Sequence, residues 1–136
     1  MRIVVMTIMM LVSLWGTEIA WAHSYAEAQE RAAKEHKNIL LLITTEYCRW
    51  CRKLEGFTLT DKQVAERINR EYVAVHVTRD KDDYPEHLTA QRVPTSYFLT
   101  PDGEVIHDMM GYWNVEDYLS ILDDVQFVLK QQKETK

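Results

Sequence analysis

The sequence contains few of the residues that mark specialised folds. Its 136 residues include four glycines, three prolines and two cysteines, and they show no internal repeat and no low-complexity tract. A composition of 46% hydrophobic and 27% charged residues is that of an ordinary globular protein, and the length supports one domain with one core. The net charge of −5 is spread along the chain without a basic block, which argues against nucleic acid as a partner.

A metal site is disfavoured because the chain lacks a full set of closely spaced ligands. Cys48 and Cys51 form the single Cys-x-x-Cys pair. A structural zinc site needs four ligands, and the sequence has neither a second such pair nor two closely spaced histidines to supply the other two. Met109 and Met110 could bind a soft metal, but a core or edge-strand position is the better interpretation. We expect no cofactor beyond the cysteine pair itself.

The first 22 residues differ in composition from the rest. Arg2 precedes an apolar run from Ile3 to Leu14, and the segment ends in Ala20-Trp21-Ala22. A positive start, a short apolar core and a small-x-small end predict a signal peptide cleaved after Ala22, which leaves 23–136 as the mature domain. The run is shorter than the roughly 20 apolar residues that span a bilayer, so an uncleaved anchor is the less favoured alternative. We therefore expect a periplasmic or otherwise exported protein.

Periodicity, capping residues and turn signals predict an α/β domain. The expected helices cover 25–35, 48–57, 60–70, 84–91 and 115–129, and the expected strands cover 39–44, 72–77, 96–100 and 105–110. Ser24, the Thr60-x-x-Gln63 pair and Asn114 are predicted helix caps. The first two strands should be parallel and the last two should form a hairpin around Pro101-Asp102-Gly103. One mixed sheet with helices on both faces is the simplest architecture that results.

Cys48-Arg49-Trp50-Cys51 follows a near-continuous apolar strand and opens a predicted helix. Unpaired backbone N–H groups at a helix start favour a thiolate over a thiol, and Arg49 adds a positive charge. Cys48 would then be the exposed attacking thiol and Cys51, one turn further on, the resolving thiol. A structural disulfide is a weaker alternative because so short a loop removes little entropy from the unfolded chain. Since disulfides persist outside the cytosol, the pair is predicted to exchange disulfides with other exported proteins.

The order of elements, the position of the cysteine pair and the Val93-Pro94-Thr95 step before the hairpin resemble the thioredoxin superfamily. The likeness is strongest to exported thioredoxin-like proteins with a Cys-x-Trp-Cys motif, and it covers nearly all of 24–129. It implies a thioredoxin-like fold in which Cys48 is the nucleophile, Cys51 the resolving cysteine and Pro94 the cis-proline beside the disulfide. It also implies substrate-binding positions, for which the candidates are Arg49, Trp50, Val93 and Thr95.

The resemblance has two departures that bear on the thiol chemistry. Cytosolic thioredoxins carry a buried aspartate six residues before the first cysteine, where this chain has Leu42, and they have Gly-Pro where it has Arg49-Trp50. Glu46 and Glu55 are the candidates for a substitute proton acceptor. In the family, the backbone before the cis-proline pairs with the substrate as an added strand, a role that falls to Val93.

The function implied is that of an exported thiol–disulfide oxidoreductase. Its expected partners are exported protein thiols or disulfides and a redox donor or acceptor protein, soluble or membrane-bound, and the expected state is a monomer. The alternative is a binding module of the same fold, in which Cys48–Cys51 is a stable, non-catalytic disulfide and recognition of a client protein is the activity.

Overall fold

The computed structural model describes residues 17–136, so the apolar run of the predicted signal peptide lies outside the described residues. The helices are α1 (Tyr25–Glu35), α2 (Arg49–Lys53, continued by a π-helical segment at Leu54–Thr58), α3 (Lys62–Glu71) and α4 (Val115–Glu134). The strands are β1 (Asn38–Thr44), β2 (Tyr72–Thr78), β3 (Thr95–Leu99) and β4 (Val105–Met110). No helix within residues 17–136 has the length and apolarity needed to cross a membrane.

The strands form one mixed sheet in the order β2-β1-β3-β4. Strand β1 runs parallel to β2 and antiparallel to β3, which forms the predicted hairpin with β4. Gly103 closes the hairpin turn with φ +89°, and an added Cβ would meet the Tyr25 hydroxyl at 3.0 Å. The positive φ favours glycine there, and any larger residue would also have to push the Tyr25 hydroxyl aside by a few tenths of an ångström.

Two apolar layers cover the two faces of the sheet. On one face, Tyr25, Ala28 and Ala32 of α1 pack against the alternate β1 residues that include Ile39 and Leu41. On the other face, helices α3 and α4 pack against Leu40 and Leu42, together with the π-helical segment. The predicted fold, a mixed sheet with helices on both faces, is confirmed. Strand β1 is apolar at almost every position because both of its faces are buried.

Two of the three predicted caps are present. The Ser24 side chain accepts a hydrogen bond from the Glu27 N–H, and the Asn114 side chain accepts one from the Asp117 N–H. The predicted Thr60–Gln63 capping box is wrong. Asp61 caps α3 by accepting from the Val64 N–H at 3.1 Å, and the Thr60 hydroxyl instead donates to the Gly56 carbonyl at 2.7 Å.

The short helix predicted at 84–91 is also wrong. The segment makes a single turn, closed by the Leu88 N–H donating to the Pro85 carbonyl at 3.0 Å. Two carbonyls near the end of the segment accept from distant side chains: Arg79 donates to the Ala90 carbonyl, and the Tyr97 hydroxyl donates to the Thr89 carbonyl. These bonds tie the segment to the domain, and its apolar residues Leu88 and Ala90 are buried in the core.

Candidate active site

Cys48 and Cys51 form a disulfide at the start of α2. Strand β1 ends at Thr44, and a short loop brings Cys48 to the N-cap position of the helix. The Cys51 N–H donates to the Cys48 sulfur at 3.1 Å. A sulfur at this position faces unpaired helix N–H groups, and these groups favour the thiolate when the disulfide is open. Cys48 is 8% exposed and Cys51 is 2% exposed, so Cys48 is the more accessible sulfur.

The helix that carries the cysteines changes its winding after one turn. The predicted regular helix over 48–57 is corrected by the π-helical segment, in which the Leu59 N–H donates to the Leu54 carbonyl at 3.0 Å. The Thr58 hydroxyl donates to the Trp113 carbonyl at 2.6 Å and ties this turn to the loop before α4. The wider turn leaves Phe57 69% exposed while its neighbour Thr58 is buried. Turns of this kind are frequent at functional sites.

The loop before β3 carries the predicted proline. The Val93–Pro94 peptide bond is cis, and Pro94 is buried. The Pro94 carbonyl accepts from the Gly111 N–H at 2.7 Å, which joins this loop to the residue that follows β4. Thr95 is 2% exposed and donates its hydroxyl to the Arg92 carbonyl. The Thr95 side chain therefore holds the loop from inside and offers no surface to a substrate.

An aromatic groove lies next to this loop. Trp50, Val93, Gly111 and Tyr112 line a cavity of about 370 Å³, and we call these four residues the aromatic groove. Trp50 is 51% exposed, and its ring centroid lies 5.9 Å from that of Tyr112. The Lys53 ammonium lies 5.2 Å from the Trp50 ring and 4.6 Å from the Tyr112 ring, within cation–π range. The groove therefore combines apolar surface with a positive rim.

A polar contact joins the cysteine-bearing helix to strand β2. His76 of β2 pairs with Leu42 across the sheet. The Glu55 Oε1 atom lies 3.3 Å from His76 Nδ1, and His76 Nε2 lies 2.7 Å from the Thr44 hydroxyl. Glu55 follows Cys51 by four residues, and this spacing places both on one side of the helix. A carboxylate and an imidazole thus meet on the sheet face that packs against the cysteine-bearing helix.

Comparison with known proteins identifies the family to which the chain belongs. The profile described as "Thioredoxin-like domain" matches residues 25–126, most of the chain. The chain belongs to the thioredoxin-like family.

Relatives of this thioredoxin-like protein include named disulfide enzymes. It is 22% identical over 122 residues to anterior gradient protein 2 of Xenopus laevis, covering 90% of this chain and 66% of that protein. It is 28% identical over 102 residues to protein disulfide-isomerase of Zea mays, covering 75% of this chain but 18% of that protein. The solved structure of a DsbH oxidoreductase superimposes with a TM-score of 0.67 at 21% identity, covering 87% of this chain and 91% of the other. At that identity, the structural likeness shows the fold.

In this thioredoxin-like protein, only some of the residues predicted from the sequence lie at the site. Trp50 and Val93 line the aromatic groove, and Arg49 is exposed at the start of α2, with its guanidinium 6.0 Å from the Trp50 ring. Of the two candidate proton acceptors, Glu46 pairs instead with Lys81 at 2.7 Å, and both are exposed. Among residues 17–136, no group of three or more histidine, cysteine or acidic side chains is arranged to hold a metal ion.

His76 is the site residue that the sequence did not single out. It is one of five scattered histidines, and a surface or strand role is the ordinary expectation for each of them. The signal that could have found it is the register of the parallel pair, because that register places His76 beside Leu42. Finding that register from the sequence would require knowing that Asn38 and Tyr72, the first residues of the two strands, lie opposite each other.

Proposed function

We propose that this protein is an exported thiol–disulfide oxidoreductase that exchanges disulfides with other exported proteins through Cys48 and Cys51. The observation that supports this function best is the position of the disulfide. It lies at a helix start, with the more accessible sulfur on Cys48, next to a loop and a groove that a polypeptide could occupy. The family relatives named for disulfide chemistry support the same activity.

The exchange begins with the oxidised pair seen in this structure. A client thiolate attacks the Cys48 sulfur, the Cys48–Cys51 bond breaks, and Cys51 leaves as a thiolate that takes up a proton. A second thiolate of the client then attacks the client sulfur that is bonded to Cys48 in the mixed disulfide. The client forms its own disulfide, and Cys48 is released as a thiolate. The client gains a disulfide and the cysteine pair gains two electrons. In reverse, the Cys48 thiolate attacks a client disulfide, and Cys51 resolves the mixed disulfide.

The proton on Cys51 needs an acceptor when Cys51 acts as the resolving thiol. Cys51 is buried, and burial disfavours its thiolate, so a nearby base speeds the step. Glu55 is our candidate for this acceptor, either directly or through an intervening water. His76 is a positioning residue that holds the carboxylate through the 3.3 Å contact.

Client binding is assigned to the aromatic groove and the loop beside it. An extended client segment would pair with the backbone at Val93 and place an apolar side chain against Trp50 and Tyr112. Arg49 and Lys53 would favour a client with acidic residues near its cysteine.

Export would follow from the apolar N-terminal segment and would place the pair in a compartment where disulfides persist. A second redox protein, soluble or membrane-bound, would then return the cysteine pair to its working state after each exchange.

The experiment is mixed-disulfide trapping with two matched variants. In Cys51→Ser, Cys48 remains free to attack and no thiol resolves the product, so covalent client adducts should accumulate and disappear on reduction. In Cys48→Ser, the accessible thiol is lost, and the adducts should be absent or weak. Equal trapping by the two variants, or trapping by neither, would contradict the proposed roles of the two cysteines.

A client-binding module with a stable disulfide is the second candidate, and the low exposure of both cysteines favours it. This function predicts that a Cys48→Ser, Cys51→Ser double variant still binds clients with unchanged affinity. The two functions differ in the parent protein: the oxidoreductase predicts disulfide exchange with clients that the double variant loses, whereas the binding module predicts no exchange by either protein.

A further inference from the structure

Residues Thr17–Ala22, predicted from the sequence to be removed on export, are packed into the folded domain. Ile19 is 8% exposed and Ala22 is 5% exposed. The Ile19 side chain belongs to the same apolar cluster as Leu59 and Ile68. A segment that is destined for removal has no reason to contribute to the core of the protein that remains.

Backbone hydrogen bonds fix this segment along the edge strand β2. The Ala22 N–H donates to the Ala74 carbonyl at 2.8 Å, and Ala22 forms a parallel bridge with Val75. Because β2 is the outermost strand on its side of the sheet, the bridge covers part of an edge that would otherwise be open.

The side chain of Asn69 holds the same segment from α3. Its Oδ1 atom accepts from the Ala20 N–H at 2.9 Å, and its Nδ2 atom donates to the Glu18 carbonyl at 2.7 Å. One amide side chain thus satisfies a donor and an acceptor of the N-terminal backbone. Cleavage after Ala22 would remove the partners of both the Oδ1 and the Nδ2 atom of Asn69.

The segment also reaches the contact between Glu55 and His76. The Trp21 ring centroid lies 5.9 Å from that of His76. Trp21 lines a cavity together with Glu55 and Leu59. Residues Thr17–Ala22 therefore cover one side of the Glu55–His76 contact.

We infer that Thr17–Ala22 is retained in the working protein as a permanent edge segment, and that any export cleavage lies on the N-terminal side of Thr17. Cleavage after Ala22 would remove Ile19 from the core and reopen the edge of β2.

The first test is the N-terminus of the exported protein. The full-length sequence is expressed in a bacterial host that exports it, and the purified product is analysed by intact mass and N-terminal sequencing. A first residue at or before Thr17 is the expected result, and an uncleaved chain supports the inference equally. A first residue later than Thr17 overturns it.

The second test measures attachment of the segment in the same purified protein. Hydrogen exchange should show the Ala22 amide protected well above the level of an unfolded chain, because it donates to the Ala74 carbonyl. Asn69→Ala should speed exchange at Ala20 and lower the melting temperature by about 5 °C. The matched control is Arg70→Ala, which changes the exposed neighbour on the same helix and should melt close to the parent protein.

Free exchange at Ala22, or equal melting temperatures for the Asn69→Ala and Arg70→Ala proteins, would overturn the inference. Neither readout involves thiol chemistry. The retained segment and the proposed oxidoreductase activity can therefore fail separately.

Discussion

Glu55 and His76 contact each other between the cysteine-bearing helix and the sheet, with Oε1 and Nδ1 3.3 Å apart. The contact lies next to Leu42, the position at which cytosolic thioredoxins carry their buried aspartate. Glu55 lies on the cysteine-bearing helix, four residues after Cys51. Its partner, His76, is anchored from the other side by the Thr44 hydroxyl.

Replacing Glu55 by Gln should slow the resolving step. The amide keeps the size of the side chain but cannot accept the Cys51 proton, so we expect a loss of about 10²-fold, the lower end of general-base contributions. Stopped-flow measurement of disulfide reduction should show the mixed disulfide persisting near neutral pH and resolving faster as the pH rises. Glu46→Gln is the matched control and should resolve at the parent rate, because Glu46 pairs with Lys81. Equal rates in the two variants would exclude Glu55 as the acceptor.

His76 should act only through Glu55. If it positions the carboxylate, His76→Gln slows resolution in the parent protein but adds little in a protein that already carries Glu55→Gln. A double-mutant cycle on the resolving rate measures this coupling directly. Additive effects, with no coupling energy beyond about 0.5 kcal/mol, would mean that His76 serves the fold and not the reaction.

Truncating Trp50 to alanine should weaken client binding more than chemistry. The Trp50 ring forms a wall of the aromatic groove and is about half exposed. Its loss should reduce binding by about 1–2 kcal/mol, which raises KM roughly 5- to 30-fold for a protein substrate. Phe57→Ala is the control, because Phe57 is also exposed but lies outside the groove. An unchanged KM for the Trp50→Ala protein would remove the groove from the binding site.

Two buried tyrosines should make the protein sensitive to alkali. Burial raises the pKa of Tyr72 to about 12 and raises the pKa of Tyr118 still further above its ordinary value near 10. Above pH 10 the unfolded chain releases these protons while the folded protein keeps them, so the free energy of unfolding falls as pH rises. The slope between pH 10 and pH 12 should reach about 1.4 kcal/mol per pH unit for each tyrosine.

Urea denaturation at a series of pH values measures this slope. Tyr72→Phe should reduce the slope by the contribution of one tyrosine. Tyr47→Phe should leave the slope unchanged, because Tyr47 is 88% exposed. Stability that stays constant from pH 9 to pH 11 would contradict the buried state of both hydroxyls.

Local signals predicted much of the fold. Ser24 and the alanine spacing of α1 marked its start and buried face, and Pro101-Asp102-Gly103 marked the hairpin, because these features depend on neighbours in sequence. Helix α4 continues to Glu134, past the predicted end at Leu129. The extra residues contain no glycine or proline that would stop a helix.

Features that depend on distant partners were missed. The segment at 84–91 is tied to the domain by hydrogen bonds from Arg79 and Tyr97, and a local helix signal carries no information about these distant partners. The docking of Ile19 against the core is likewise a tertiary contact, hidden behind a small-x-small pattern that is typical of signal peptides. The Glu55–His76 contact required both the winding of α2 and the register of β1 with β2.

The central claim is that Cys48–Cys51 is a working redox pair, and its reduction potential in glutathione buffers tests this claim most directly. We predict that the pair equilibrates, with a potential between about −270 mV, the level of thioredoxin, and about −120 mV, the level of a strong oxidant. A value near the lower limit would make the protein a reductant, and one near the upper limit would make it a donor of disulfides. A pair that never equilibrates, or that lies below about −300 mV, would behave as a structural disulfide and contradict the account.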